Sequence, residues 1–275
     1  MIYNDMVCEG CRYDDSTQIH ELEGLKLRHC ASCRLTSVVD PVTTVSYDAA
    51  YVAERYDRYP TTQQMSGLRL AYVETVLRLN DALPMGHTNV YHGNREIVDI
   101  GYGNGSYIRW ATQNGWETYG HDVNPTDYPG VRKLGALPDP LTDSRRYRAI
   151  TFFDTLEHFE HLNHVRWVSA CTDWIFVTAP LPPLRFPGEY ARSWWENQEK
   201  LPWKHWRPGE HHHYMHPETL EELFTWDDEI AGIRAVANLT HVSHFEDSIR
   251  GVGQNGRPNT FTAALRCTTF QDGDG

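Results

Sequence analysis

The stretch Glu96-Ile97-Val98-Asp99-Ile100-Gly101-Tyr102-Gly103-Asn104-Gly105 decides the fold. Its first half is an apolar run of strand length with a polar lead, and its second half is a turn with glycine at every other place. Ser106 to Asn114 follows with Ile108, Trp110 and Ala111 at helical spacing, then a second strand-like run, Glu117 to Val123. Strand, glycine turn, helix and strand in that order open a doubly wound α/β domain with a mostly parallel sheet. Working outward, apolar runs predict strands near 97–101, 117–122, 131–136, 148–153 and 173–179, closed by late strands near 233–245 and 259–267. A helix is expected over about 48–82. Between 124 and 130 two prolines leave no room for the usual helix after the second strand.

The spacing of the glycines restricts what the turn can hold. A G-x-G-x-x-G turn for a pyrophosphate would need glycine at 106, where the chain has Ser106. Here the third glycine comes one place earlier, and Asp99 stands two residues before Gly101. A carboxylate there repels a pyrophosphate and suits a cationic amino group. Asp122, about 20 residues beyond the first glycine, is placed to accept two ribose hydroxyls. The candidate cofactor residues are therefore Asp99, Gly101, Tyr102, Gly103, Gly105, Asp122 and Val123. Asp154, at the end of the fourth strand, joins them; Leu137 and Asp139, just past the third strand, are further candidates.

The N-terminus carries a second signal. Cys8-x-x-Cys11 and Cys30-x-x-Cys33 stand eighteen residues apart. Two tight turns that each aim two sulfurs at one point complete a tetrahedron, as in a structural four-thiolate zinc site with no open position. Four unrelated thiols or a redox pair are the alternatives. Cys171 and Cys267 show no such pairing.

Asp99-Ile-Gly-Tyr-Gly-Asn-Gly105 resembles motif I of class I S-adenosylmethionine-dependent methyltransferases. Three further segments are similar in order and spacing: Tyr147 to His158, ending Leu-Glu-His; Trp174 to Pro180; and Glu210 to Leu220, with its histidines before Pro217-Glu218. The double CxxC, with Leu25 to Leu35, Asp40-Pro41 and Tyr47 to Tyr51, resembles a zinc-bearing subgroup that includes sugar methyltransferases of natural-product and surface-polysaccharide pathways. The resemblance implies a Rossmann-like fold, S-adenosylmethionine and zinc as cofactors, and a small-molecule acceptor such as a nucleotide-linked sugar.

Methyl transfer needs an aligned acceptor and, for a hydroxyl, removal of a proton. His158 lies just past the fourth strand, at the carboxyl edge where open sheets bind ligands. His212 and Tyr214 belong to the His211–Tyr214 run before a helix. These three are the catalytic candidates. The Pro-, Trp- and His-rich stretch at about 181–215, with Trp194, Trp195, Trp203 and Trp206, reads as a lid or substrate wall over 184–214; a packing flap or oligomer contact is its alternative.

The organisation expected is a zinc knuckle over 1–46, a helical connector over 47–94 and the methyltransferase domain over 95–270. A net charge of −12 disfavours phosphate backbones, so a nucleic-acid partner is not expected. No apolar run is long enough to span a membrane, and no secretory signal is read at the start, which makes the cytoplasm the expected compartment. Methylation of RNA, DNA or protein, and a catalytically dead interaction module, are the rival functions. Acceptor atom and oligomeric state leave no trace in the sequence.

Overall fold

The computed structural model describes residues 7–13, 17–54, 62–81, 95–123, 127–183, 187, 203, 205–207, 209–228, 232–250 and 258–271. The main sheet is built from β4 (Glu96–Ile100), β5 (Glu117–His121), β6 (Val131–Lys133), β7 (Ala149–Phe153), β8 (Trp174–Pro180), β10 (Trp226–Asp228), β11 (Ile233–Ser243) and β12 (Thr260–Gln271). Their order across the sheet is β10-β11-β12-β8-β7-β4-β5-β6. β6, β5, β4, β7 and β8 run parallel, whereas β12 enters antiparallel between β8 and β11.

The central strands are apolar on both faces because both are covered. Every residue of β7 and β8 is buried. Ile97, Ala149, Phe153 and Phe176 face α2 (Thr62–Asp81) and α3 (Ser106–Gln113), packing with Leu70, Val73, Leu77, Tyr107 and Ala111. Their strand neighbours Val98, Ile150, Phe152, Ile175 and Val177 point the other way, to Val165, Val168 and the apolar side of α4 (Thr219–Phe224). Strand periodicity of two thus divides one sequence run between two cores.

The windings on the second face are thin. Past β7 the chain makes 3-10 turns at Leu156–His158, Leu162–His164 and Arg166–Cys171 rather than an α-helix, and 127–130 ends in a turn. The expected helix over 48–82 is described at α1 (Ala49–Val52) and α2. A last short helix, α5 (Asp247–Arg250), leads toward β12. No helix among the described residues is long and apolar enough to cross a membrane.

A second, four-stranded antiparallel sheet carries the N-terminus, in the order β1 (Thr17–Leu22), β2 (Leu25–Cys30), β3 (Thr36–Val38) and β9 (His213–Tyr214). Glu23 and Gly24 turn the β1–β2 hairpin with φ of 52° and 78°, the left-handed pair that matches strand twist in a two-residue loop. β9 comes from the far end of the 181–215 stretch.

Candidate cofactor site and cysteine cluster

At the carboxyl ends of β4, β5 and β7 the chain leaves a cavity of about 460 Å³, within the size range of cofactor sites. The glycine turn forms one wall. Gly101, Gly103 and Gly105 have φ of 75°, 53° and 68°, where a side chain is strained. Space adds a second reason at two of them: a Cβ on Gly101 would stand 2.4 Å from the Thr155 methyl, and one on Gly105 2.5 Å from the Tyr128 ring. The Gly103 N–H donates to Asp122 Oδ2 at 2.8 Å, fixing that carboxylate at the rim.

Of the residues singled out from sequence, Gly101, Gly103, Asp122, Val123, Asp154 and His158 line the cavity. The others lie elsewhere, each for a physical reason. Asp99 is buried under the turn and accepts a hydrogen bond from Thr151 Oγ1 at 2.7 Å. Burial pushes its carboxyl up to about 7. It supports the turn from below rather than standing at its mouth. Tyr102 packs its ring where a side chain on Gly120 would be, and Gly105 starts α3. Leu137 packs on the main core, and Asp139 Oδ1 accepts the Leu141 N–H; neither reaches the cavity wall.

Asp154 adopts a left-handed φ of 56° and its Oδ2 takes a 2.6 Å ion pair from Arg69. Arg69, 12% exposed, also binds Glu246 at 2.7 Å, so the end of β7 is tied to α2 and to the residues ahead of α5. Asp154 is thus an anchored wall residue.

His158 meets the cavity with Nδ1 2.9 Å from the Glu210 carbonyl and 3.0 Å from Tyr47 Oη, and burial lowers its pKa. His212 and Tyr214 turn out of the cleft. His212 is 1% exposed, with Nε2 3.0 Å from Thr43 Oγ1 and its backbone spanning Glu157 and Val38. Tyr214 lies in β9, among Leu22, Leu27, Val38 and Trp203, and its hydroxyl donates to the His211 carbonyl. The described part of the aromatic stretch packs on the N-terminal sheet, with Trp206 Nε1 donating to Glu23. The expected lid's remaining residues, 184–186, 188–202, 204 and 208, lie outside the described residues, Trp194 and Trp195 among them.

Sequence reasoning did not single out Thr43, Tyr47, Tyr51, Thr155 and Phe159 for the cavity wall. Tyr47 and Tyr51 had a readable signal. Asp48 Oδ1 accepts the N–H groups of Ala50 and Tyr51, the helix-capping pattern that sets α1 beside both rings.

The four N-terminal cysteines converge. Cys8 and Cys33 sulfurs are 3.5 Å apart, as are those of Cys11 and Cys30, and all four lie within 4.8 Å. A tetrahedral zinc with bonds of ~2.3 Å sets sulfurs about 3.8 Å apart, so the donor set fits one ion. The two loops share one geometry. Arg12 N–H reaches the Cys8 carbonyl and Arg34 N–H the Cys30 carbonyl, at 2.9 and 2.8 Å, with φ of 64° and 62°. A Cβ on Gly10 would stand 2.8 Å from Cys33 Sγ, and its N–H points at Cys8 Sγ. A hydrogen bond from Cys33 holds the Cys8 thiol below its ordinary range.

A comparison with curated proteins finds no match. Among solved structures, this chain is similar to the magnesium protoporphyrin IX methyltransferase of Synechocystis PCC 6803 with bound SAH. Identity is 14%, coverage 74% of this chain and 82% of that one, and the TM-score 0.41. It is similar also to a SAM-dependent methyltransferase from Archaeoglobus fulgidus, with 15% identity, coverage of 79% and 98%, and a TM-score of 0.42. The CcbJ methyltransferase from Streptomyces caelestis gives 13%, 78% and 95%, and 0.43. The family model described as a methyltransferase domain matches residues 56–226, more than half of the chain. The protein belongs to that methyltransferase family, and it is a class I enzyme dependent on S-adenosylmethionine.

Proposed function

We propose that the enzyme methylates a small metabolite, with a nucleotide-linked sugar as the first acceptor class to test, and that one structural zinc occupies the four-cysteine cluster. The observation that carries this reading is the composition of the cavity wall, which holds Gly101, Gly103 and Asp122 as one group and Tyr47, Tyr51, Phe159 and His158 as another. The first group suits the cofactor, with Asp122 toward its ribose and Val123 and Asp154 beside it. Asp99 and Tyr102 hold the turn from beneath. Bound there, S-adenosylmethionine supplies a methyl group on a sulfonium. The aromatic side suits a compact acceptor, and His158 serves it. A net charge of −12 favours a small acceptor over a nucleic acid. Six cysteines outside any disulfide fit a reducing cytoplasm.

Calorimetry with S-adenosylmethionine tests the cofactor side. Losing hydrogen bonds to a charged group costs about 1.5–3 kcal/mol, so Asp122→Ala should weaken binding at least ~10-fold. Unchanged affinity would overturn the assignment. For the acceptor, labelled S-adenosylmethionine and fractionated metabolite pools identify the substrate. With it in hand, His158→Asn should lose most turnover, in keeping with a group worth about 10²–10⁴ in rate, while cofactor affinity stays near the parent's. Parental turnover in that variant would remove His158 from the chemistry.

A further inference from the structure

Among the described residues, metal-ligating side chains converge at a second place besides the cysteine cluster. Glu157 and His158 follow β7 in a 3-10 turn, and His211 arrives from the returning end of the aromatic stretch. One ligand-type atom of each lies within 4.8 Å of the other two. We propose that Glu157, His158 and His211 bind a divalent transition-metal ion, zinc by the chemistry of the donors, and that the ion's open position takes an oxygen of the methyl acceptor. The second half rests on the methyl-transfer reading; the binding of the ion does not.

A backbone carbonyl only accepts, so a ring nitrogen beside one must carry hydrogen. His158 Nδ1 lies 2.9 Å from the Glu210 carbonyl, and His211 Nδ1 lies 2.9 Å from the His205 carbonyl. Both neutral rings therefore hold their proton on Nδ1 and present a lone pair on Nε2. This is the second-shell arrangement of metal-ligating histidines, in which the far nitrogen is pinned to a carbonyl or carboxylate and the near one is free to bind.

The spacing is close. His158 Nε2 stands 4.0 Å from Glu157 Oε1, too far for a hydrogen bond, and tetrahedral bonds of about 2.0–2.2 Å to one ion would draw the two to about 3.4 Å. The rings are locked in place: His158 and His211 meet edge-on at 4.8 Å between centroids, with Tyr47 edge-on to His158 at 5.6 Å and His205 stacked on His211 at 6.4 Å. Glu157 is 2% exposed, which shuts water out on that side. His158 is the member that lines the cavity, so the fourth position of a tetrahedral ion faces the cleft. Two imidazoles and a carboxylate with one position open match catalytic zinc, whereas the four thiolates of the knuckle form a closed site. In this arrangement His158 acts as a ligand that positions the acceptor through the ion.

Metal analysis of the whole purified chain, equilibrated with zinc and freed of excess, decides the matter. The parent should hold about two zinc ions per chain, one in each site, and Glu157→Gln and His211→Asn about one. Cobalt substitution identifies which site is lost, because only the cysteine cluster gives an intense thiolate charge-transfer band. That band should persist in both variants. Glu157→Gln keeps shape and volume, so it carries the test if His211→Asn does not fold. A parent that binds a single ion after equilibration, or a folded Glu157→Gln that keeps both, would overturn the site. Because the count involves no S-adenosylmethionine, a two-ion protein that fails to bind that cofactor would refute the methyl-transfer reading and leave the metal site standing.

Discussion

Burial keeps the Asp99 carboxyl neutral up to about pH 7, and this gives the glycine turn a pH-dependent foundation. The unfolded chain releases that proton near the ordinary value of about 3.9. Between the two values the folded state holds a proton that the unfolded state has lost. The contribution of Asp99 to stability is therefore complete below pH 4 and is lost as pH rises toward 7. Asparagine cannot ionise and can still accept the Thr151 hydroxyl. Asp99→Asn should gain stability on the parent between pH 5 and pH 8, read as a widening difference in urea midpoints. Parallel pH profiles would show that the carboxyl titrates normally. Asp99 also marks where sequence legibility ends at this scale. The alternating glycines and the rim carboxylate of Asp122 could be read because spacing along one turn sets them. The depth of Asp99 could not, since it depends on which face of β4 the aspartate takes and on Thr151 from β7. His212 and Tyr214 lie off the cavity wall for a similar cause: along an extended segment, a shift of one residue exchanges the face on which a side chain lies.

The strands were legible as elements because β4, β7 and β8 are apolar runs of strand length bounded by polar or glycine residues. The 3-10 turns past β7 were not, since no local period marks them and their shape follows from tertiary packing. Arg166 shows how: its guanidinium donates to the carbonyls of Glu9, Gly10, Glu222 and Thr225, joining three segments that are far apart in sequence. α2 was legible as a helix, but its charged anchor was not. Arg69 binds Asp154 at 2.6 Å and Glu246 at 2.7 Å, and Glu246 is fully buried. Removing the arginine leaves a carboxylate inside the protein with its counter-charge gone, which costs about 3–5 kcal/mol. Arg69→Met should lose that much in chemical denaturation, and adding Glu246→Leu should recover part of it. A loss under about 0.5 kcal/mol, the range of ordinary surface changes, would show that the triad does not hold α2 to the sheet.

The N-terminal sheet and the cofactor domain are one mechanical unit at the scale of the molecule. β9 pairs with β3, and the Val38 N–H binds the His212 carbonyl at 2.8 Å, so the knuckle sheet grips the segment that carries His211. From the other side, Thr219 Oγ1 donates to the Cys33 carbonyl and Glu9 accepts the Leu162 N–H, both at 2.7 Å. This pairing could not be read from the sequence, because a two-residue strand more than 170 positions away gives no local sign of its partner. The consequence is directional. The glycine turn and Asp122 belong to β4, β5 and α3, whereas His158 and His211 are held by Glu210 and His205, in the segment that β9 joins to the N-terminal sheet. Cys30→Ser should therefore release about one zinc per chain, the ion of the four-thiolate site. It should also lower acceptor turnover well before it alters S-adenosylmethionine affinity. Zinc content, calorimetry with the cofactor and turnover, measured on one preparation, separate the outcomes. Full zinc retention would sink the four-cysteine assignment. Loss of zinc with parental turnover would show the knuckle to be a passive appendage, and equal loss of turnover and cofactor affinity would point to general unfolding instead of a link through β9.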